Sequence, residues 1–373
     1  MNILQVVSSN VAGGRELFCV PVSVKLIEKG HKVSIMCKKG SPVEAEALRR
    51  GIDVIHTGFT WYFNPVEIFR AAREIRKGKF EIIHSHWTRD VSNLIVASGF
   101  AGGVPIVCTK HVYSTTMKKD LFHAWAASHI KTMMCVCELV RKNLLDTVSI
   151  APSKVVTVYN GIDTKEEWRP GKFGGSFRKE NGIDEKAFLV CMAGRINSGK
   201  GQHVLVAAAK KILQSHPEAV FVFAGRPEGA EEEKYYEGLV AGVKESGLEK
   251  SVRFLGFRRD LPSVIDASDA VVMCSVFETF GLVLIQGMAM EKPVIGTGSG
   301  GVPEIISDGN NGLLFEYGDD VKLAGLIEGL IEAPERRKAL GAAARRTVVE
   351  KFELGNTVKI IETIYLACVK SRS

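Results

Sequence analysis

The sequence predicts two doubly wound α/β domains joined by a polar segment. Short apolar runs alternate with longer amphipathic runs along both halves of the chain. The alternation breaks once, over the glycine-rich and charged residues 164–185, and then restarts. A length of 373 residues also suits two domains that each bury a core of their own. Because strand–helix alternation gives parallel sheets with helices on both faces, we expect one such sheet in each half.

The elements of the first half define an N-terminal domain over 1–165. Seven apolar runs are predicted as strands, at 3–7, 32–36, 53–55, 81–84, 106–109, 133–136 and 155–158. Four runs with apolar residues at helical spacing are predicted as helices between them, at 22–29, 65–77, 91–101 and 138–145. The linker is expected at about 164–185.

The second half repeats the pattern and defines a C-terminal domain over 186–353. Strands are predicted at 188–193, 220–225, 252–256, 270–275 and 293–297, with helices such as 203–214 between them, and the chain ends in a helix from about 354. In such sheets, ligands bind at the carboxyl ends of the strands, where the strand order reverses. Two facing domains would place a site in the cleft between them.

The composition is that of a soluble globular enzyme, with 46% hydrophobic and 24% charged residues. No apolar stretch approaches the length of a transmembrane helix, and the chain opens on a strand-like run rather than a leader, so we expect neither a membrane span nor a signal peptide. The eight cysteines suggest no metal or disulfide framework. Buried reduced thiols in a cytoplasmic protein are the simpler interpretation.

The positive charge is concentrated in the first half. Residues 1–160 hold 21 lysines and arginines against 12 aspartates and glutamates, whereas residues 161–373 hold 28 against 30. A basic domain favours an anionic partner, such as a phosphorylated acceptor or a membrane surface. The alternative is a solvated helix face, because five of the basic residues have helical spacing: Arg70, Arg73, Arg76, Lys77 and Lys79.

The run SVFETFGLVLIQG, at 275–287, is the most informative segment. Glu278 precedes an apolar helix that Phe280, Gly281 and Leu282 are expected to open with free backbone N–H groups. Such a helix start attracts anions. A carboxylate beside an anion site suits a ligand with both hydroxyls and phosphates, such as a nucleotide sugar. The alternative is an ordinary capped helix that begins at Thr279.

The run GRINSGKG, at 194–201, lies between a predicted strand and a helix. Arg195 and Lys200 offer two cations at the strand end, and two cations can neutralise a leaving diphosphate without a metal ion. Gly201 stands where a P-loop has the serine or threonine that binds magnesium. Basic residues on an exposed loop are the alternative interpretation.

Two glycine pairs follow strands. Gly13 and Gly14 come after the first strand and permit close backbone approach to a ligand, or simply a tight turn. Gly300 and Gly301 are expected to bring backbone N–H groups to a phosphate.

Three histidines lie at the ends of predicted strands, where either structural or functional roles are open. His84 and His86 lie at the end of one strand, and His111 lies just past the end of the next. A His-x-His pair is compatible with zinc, but the sequence places no third ligand, so we predict no metal.

Taken together, these segments resemble the retaining glycosyltransferases of the large family 4, whose GT-B fold has two Rossmann-like domains facing a central cleft. The matching pieces are the loop at Gly13–Gly14 and the runs EIIHSH, TKHVY, VYNGID, MAGRINSGKG, FVFAG, FLGF, SVFETFGLVLIQG and GGVPEII. They run in order from end to end. The last helix, 354–373, resembles the one that crosses back to the first domain.

The resemblance implies a donor site, and its members are Gly14, Arg195, Lys200, Phe257, Glu278, Phe280, Gly281, Leu282 and Gln286. Arg195 and Lys200 would hold the donor diphosphate, and Glu278 would contact a sugar hydroxyl. The family has a second glutamate where this chain has Gln286. Replacing a charged acceptor by an amide is expected to weaken ribose binding by about 1–2 kcal/mol.

The resemblance also implies an acceptor site at Gly13, Arg15, His86 and His111. His111, Arg195, Lys200 and Glu278 are the expected catalytic residues, with no metal and no cofactor other than the donor. Five aromatic residues in first-domain loops are candidates to stack on acceptor sugars, with packing in the core or at its rim as the alternative: Trp61, Tyr62, Phe63, Trp87 and Tyr113.

The implied function is sugar transfer from a nucleotide diphosphate sugar to an acceptor hydroxyl with retention of configuration. The expected acceptor is a glycan or a lipid-linked molecule of bacterial cell-surface polysaccharide or lipopolysaccharide assembly. The expected location is the cytoplasm, with an anionic membrane surface but no nucleic acid as a partner. A nucleotide-sugar epimerase of the same fold, a P-loop hydrolase and a non-catalytic donor-binding homologue remain as alternatives.

Overall fold

The computed structural model describes residues 1–11, 13–60, 62–173 and 175–370. Contacts divide the chain into two compact units: unit 1 comprises Met1–Gly161 and Leu354–Ser373, and unit 2 comprises Ile162–Glu353. The segment 164–185, expected to be a linker, belongs to unit 2. Trp168 and Phe177 in this segment are buried, because its few apolar residues pack onto unit 2 despite the polar composition around them.

Unit 1 is a seven-stranded parallel sheet with helices on its faces. Its strands are β1 Asn2–Val7, β2 Lys32–Cys37, β3 Asp53–His56, β4 Ile82–Ser85, β5 Ile106–Lys110, β6 Ile130–Cys135 and β7 Val155–Thr157. Its helices before unit 2 are α1 Gly14–Leu17, α2 Cys19–Glu28, α3 Pro42–Arg49, α4 Pro65–Lys77, α5 Val91–Phe100, α6 Leu121–His129 and α7 Glu138–Thr147. The strand order is β3-β2-β1-β4-β5-β6-β7.

Unit 2 repeats this architecture with six parallel strands. They are β8 Leu189–Ala193, β9 Val220–Ala224, β10 Val252–Gly256, β11 Ala270–Met273, β12 Val294–Thr297 and β13 Leu313–Phe315, in the order β10-β9-β8-β11-β12-β13. The helices are α8 Ser176–Glu180, α9 Gln202–Ser215, α10 Ala230–Glu245, α11 Leu261–Ala267, α12 Leu282–Ala289, α13 Asp320–Glu332 and α14 Pro334–Lys351. The prediction of two doubly wound α/β domains is confirmed.

The last helix, α15 Leu354–Lys370, completes unit 1. Val358, Ile361 and Tyr365 on its inner face are buried against apolar residues of α2 and of the central strands. A Cβ atom at Gly161 would lie 2.8 Å from the backbone of Leu354, so the approach to this helix requires glycine.

The strand order determines where a ligand site can form. In unit 1 it reverses between β1 and β4, which pair in parallel with Ile3 opposite Ile82. In unit 2 it reverses between β8 and β11, with Val190 opposite Ala270. The loops at the carboxyl ends of these strands are therefore the structural candidates for binding. Within the described part of the chain, no helix is long and apolar enough to cross a membrane.

Candidate active site

The loop after β8 is shaped by one side-chain cap and one glycine. The amide oxygen of Asn197 accepts a hydrogen bond from the backbone N–H of Lys200 at 3.1 Å. Gly201 follows with φ +73°, and a Cβ atom there would lie 2.1 Å from the carbonyl oxygen of Cys274. The loop thus sits directly on the chain leaving β11. The serine or threonine of a P-loop has no room at this position, which disfavours the hydrolase alternative.

This packing brings Lys200 to Glu278. The ammonium group of Lys200 donates to the carboxylate of Glu278, and the two side chains are 32% and 20% exposed. The backbone N–H of Val276 also donates to the carbonyl of Gly199 at 2.9 Å. Two residues that the sequence singled out separately therefore form one half-exposed ion pair at the carboxyl ends of β8 and β11.

Arg195 lies on the same loop but has other partners. Its guanidinium lies 3.4 Å from the carboxylate of Glu228 and 3.6 Å from that of Glu232. Glu232, on α10, also accepts from the side-chain amide of Asn197 at 3.3 Å. Neither carboxylate was predicted from the sequence. They orient this half-exposed cation at the strand end, on the loop that also carries Lys200.

The helix after Glu278 starts later than predicted. It begins at Leu282, and Gly281 precedes it in the left-handed region with φ +86°, so Thr279 and Phe280 lie outside the helix. The Phe280 side chain is buried and packs edge-on against Phe352 at 5.7 Å between ring centroids. Phe280 can therefore present only its backbone to a ligand. The N-cap residue, Gly281, makes no side-chain capping hydrogen bond at this helix start.

The prediction for the second glycine pair is wrong for Gly301. Its backbone N–H donates to the carbonyl oxygen of Glu278 at 2.8 Å, and a Cβ atom at Gly300 would lie 2.1 Å from the same oxygen. These glycines let their loop pack on the backbone of Glu278. The Gly301 amide is thereby satisfied within the fold instead of facing a phosphate.

Two donor-site candidates of unit 2 remain, one on α12 and one after β10. Gln286 is half-buried on α12, one turn beyond its first residue. Phe257 is exposed just after β10, where the guanidinium of Arg226 lies 5.6 Å from the ring centroid. Arg226 follows β9 and was not identified from the sequence.

In unit 1 the three histidines at the carboxyl ends of β4 and β5 meet in a buried network. His86 Nδ1 lies 3.4 Å from His111 Nε2, and its Nε2 lies 2.8 Å from the amide oxygen of Gln5. Gln5 donates to the hydroxyl of Tyr365 at 3.1 Å, and that hydroxyl lies 2.6 Å from His84 Nδ1. His86 was expected at the acceptor site. Its side chain is 3% exposed, and its two ring nitrogens contact His111 and Gln5.

The hydrogen bonds of this network are consistent with one assignment of donors and acceptors. The Gln5 amide oxygen can only accept, so His86 Nε2 carries a proton, and burial lowers the pKa of His86 to about 3. His86 is therefore neutral, and its Nδ1 accepts from a protonated Nε2 of His111. Tyr365 likewise accepts from Gln5 and donates to His84, whose pKa burial holds well below its ordinary value.

The first loop of unit 1 is short. Gly13 precedes α1 and its carbonyl accepts from the N–H groups of Glu16 and Leu17, at 3.1 and 3.0 Å, and Gly14 begins the helix. Arg15 lies within α1, but its side chain is outside the described part of the structure, as is Trp61. Nearby, buried Asp90 accepts from the backbone and hydroxyl of Ser8, and burial raises its pKa to about 6.

Family models match both units. The model for glycosyl transferases group 1 matches residues 175–347, and the model for glycosyltransferase family 4 matches residues 12–166. The chain belongs to the group 1 glycosyltransferase family. The predicted family resemblance is confirmed, and the fold is GT-B.

Individual relatives agree with this membership. This glycosyltransferase is 31% identical over 217 residues to the N-acetyl-alpha-D-glucosaminyl L-malate synthase of Bacillus anthracis. The matched segment covers 58% of this chain and 55% of that protein, so the chain spans about half of the relative's length. It is 28% identical over 369 residues, 89% of each chain, to the D-inositol 3-phosphate glycosyltransferase of Frankia alni. The crystal structure of Anabaena HepE with UDP and glucose is 21% identical, with a TM-score of 0.84 over 97% of this chain and 98% of that one, which supports the fold.

Two residues of the histidine network in this glycosyltransferase were not predicted from the sequence. Gln5 and Tyr365 join the histidine network from opposite ends of the chain. Gln5 had a signal, as the one polar residue of an apolar strand. Tyr365 had none, because an aromatic residue on the inner face of an amphipathic helix is ordinary core.

Proposed function

We propose that this chain transfers a sugar from a nucleotide diphosphate sugar to an acceptor hydroxyl, with retention of configuration and without a metal ion. The observation that carries the proposal is the Lys200–Glu278 ion pair beside the uncapped start of α12. A cation, a carboxylate and a helix N-terminus together suit a ligand with a diphosphate and sugar hydroxyls.

In this proposal the ion pair is exchanged when the donor binds. Lys200 turns from Glu278 to a phosphate oxygen, and Glu278 accepts from a sugar hydroxyl. A half-exposed pair contributes only about 0–1 kcal/mol, so the exchange costs little. Arg195, already oriented by Glu228 and Glu232, supplies the second charge on the diphosphate.

The proposed reaction needs no protein nucleophile. The bond between the anomeric carbon and the leaving diphosphate oxygen breaks, and the bond to the acceptor oxygen forms on the same face of the sugar. The acceptor proton passes to the departing phosphate oxygen. Lys200 and Arg195 stabilise the charge that develops on that group, so their effect falls on kcat.

In the proposal, unit 1 supplies the acceptor-binding residues. His111 is the proposed acceptor-side residue. Its Nε2–H donates to Nδ1 of His86, which holds the ring in place. The excess of basic residues in unit 1 supports a glycan or lipid-linked acceptor that carries phosphate. Because HepE was crystallised with UDP and glucose, UDP-sugars are the first donors to test.

The test is thermal stabilisation by UDP-, GDP-, ADP- and dTDP-sugars with and without EDTA, followed by product analysis with the stabilising donor. We expect one nucleotide class to stabilise the protein equally in EDTA, and the NMR coupling constant of the product to show the donor's anomeric configuration. Lys200→Ala should lose turnover, and Lys322→Ala, on α13, is the matched surface control. An inverted product or strict dependence on a divalent ion contradicts the proposal, and an epimerised sugar formed without acceptor favours the epimerase.

A further inference from the structure

Six polar side chains form one continuous chain of hydrogen bonds through the interior of unit 1. In order they are Thr109, His84, Tyr365, Gln5, His86 and His111, and the bonded atoms of consecutive members lie 2.6–3.4 Å apart. All six side chains are buried, and His111, at one end, is the most exposed of them at 7%. Because each buried polar group needs a partner, the members of such a chain constrain one another's protons.

Gln5 sets the direction of donation along this chain. Its Nε2 can only donate, to the Tyr365 hydroxyl at 3.1 Å, and its Oε1 can only accept, from His86 Nε2 at 2.8 Å. Tyr365 therefore donates to Nδ1 of His84, which burial keeps neutral and whose Nε2–H donates to the Thr109 hydroxyl at 2.7 Å. A histidine can change its tautomer and a hydroxyl can rotate, but the two ends of an amide are chemically different.

The same direction of donation determines where His111 carries its proton. Because His86 is neutral and donates through Nε2, its Nδ1 accepts from Nε2–H of His111. Two neighbouring rings hold the His111 ring in this orientation. The His86 ring lies 5.6 Å away between centroids at an inclination of 27°, and the Phe18 ring packs edge-on at 6.1 Å. With its single proton on Nε2, a neutral His111 has Nδ1 as a hydrogen-bond acceptor.

We infer that Gln5 is a positioning residue for His111, which acts through His86 to keep the His111 proton on Nε2 and to leave Nδ1 as an acceptor. The consequence for the substrate rests on the proposed function: His111 selects a hydroxyl. A hydroxyl can donate to Nδ1, whereas an ionised phosphate oxygen has no proton to donate. Any phosphate on the acceptor is therefore expected to contact basic side chains and not His111.

The test is to read the histidine tautomers by NMR spectra that correlate ring protons with ring nitrogens. The spectra are recorded on the full chain with isotope-labelled histidine at about pH 8, without substrate. The His111 signals are those missing from His111→Gln. We expect a protonated Nε2 and a bare Nδ1 in the wild type. Gln5→Met keeps the side-chain length but lacks the amide, so His86 loses its fixed acceptor and both His111 tautomers should appear.

The matched control is Ser98→Ala. Ser98 is buried on α5 of unit 1 and donates to the carbonyl oxygen of Val104 at 2.6 Å, so this variant loses a buried hydrogen bond outside the chain. It should keep the wild-type His111 signals. A protonated Nδ1 in the wild type, alone or together with a protonated Nε2, would overturn the inference even if Gln5→Met does not fold. Wild-type signals in folded Gln5→Met, or altered signals in Ser98→Ala, would also overturn it.

Kinetics test the consequence for the substrate separately. With a donor and an acceptor that the wild type uses, Gln5→Met should lower kcat/KM about tenfold, the effect of losing one hydrogen bond, and Ser98→Ala should leave it unchanged. An unchanged kcat/KM in a Gln5→Met protein whose His111 tautomer has changed would refute selection of a hydroxyl by His111. Because the tautomers are measured without substrate, the role of Gln5 and the proposed function can fail independently.

Discussion

His86 is predicted to make unit 1 sensitive to acid, and the substitution His86→Gln isolates this effect. The imidazole has a pKa of about 3 in the folded chain, against an ordinary value of 6.5, because it is buried. Between these values the unfolded chain binds a proton that the folded chain does not. His86 therefore does not lower the free energy of unfolding above about pH 6.5, but it lowers this free energy progressively as the pH falls toward 3.

The magnitude follows from the titration of the unfolded state. Lowering the pH from about 7.5 to about 5 is expected to reduce the free energy of unfolding by about 2 kcal/mol through His86 alone. Buried Asp90 acts in the opposite sense, because its raised pKa favours the folded state at low pH, but it is present in both proteins. The packing cost of the substitution does not depend on pH, so it cancels when the two pH values are compared.

The assay is urea unfolding followed by pulsed hydrogen exchange, read on peptides from β1 and β4 so that unit 1 is followed by itself. The wild type should lose about 2 kcal/mol more than His86→Gln between the two pH values. The same acid-induced loss in both proteins would refute the conclusion that the fold holds His86 neutral.

Three further predictions concern single contacts. Lys200→Ala should lower kcat about 10²–10³-fold, while Tm stays close to the wild-type value because the ion pair is half exposed; a large fall in Tm would assign Lys200 a structural role. Gly201→Ser should destabilise unit 2 by several kcal/mol in urea unfolding, because its Cβ would lie 2.1 Å from the carbonyl oxygen of Cys274; wild-type stability would contradict the close approach. Tyr365→Phe leaves two buried partners unsatisfied and should cost about 2–4 kcal/mol in the same assay, whereas a neutral result would show that water replaces the hydroxyl.

The sequence was a reliable guide where periodic burial decides structure. Except for β6, which begins three residues early, and β13, which matches none of the runs given above, the strands lie within a residue or two of the predicted runs, because a buried parallel strand needs a continuous apolar segment. It was a weaker guide at helix ends. The late start of α12 depends on the left-handed conformation of Gly281, and several conformations of that glycine are compatible with the sequence.

Local motifs likewise identified the site residues but not their partners. Lys200 and Glu278 were both singled out, yet their contact depends on Gly201 packing against the end of β11. Gly301 has the sequence of a phosphate loop, but its N–H is taken up by the Glu278 carbonyl once the two loops pack together.

The sequence by itself determined the two doubly wound domains and the residue types available at the ends of their strands, because hydrophobic periodicity and glycine placement are local properties of the chain. Only the tertiary structure decided that Arg195 is held by two carboxylates and that His111 is supported by His86. It also decided that Phe69 remains uncovered on α4. These features arise from contacts between residues far apart in the chain, and such contacts exist only after the sheets and helices have packed.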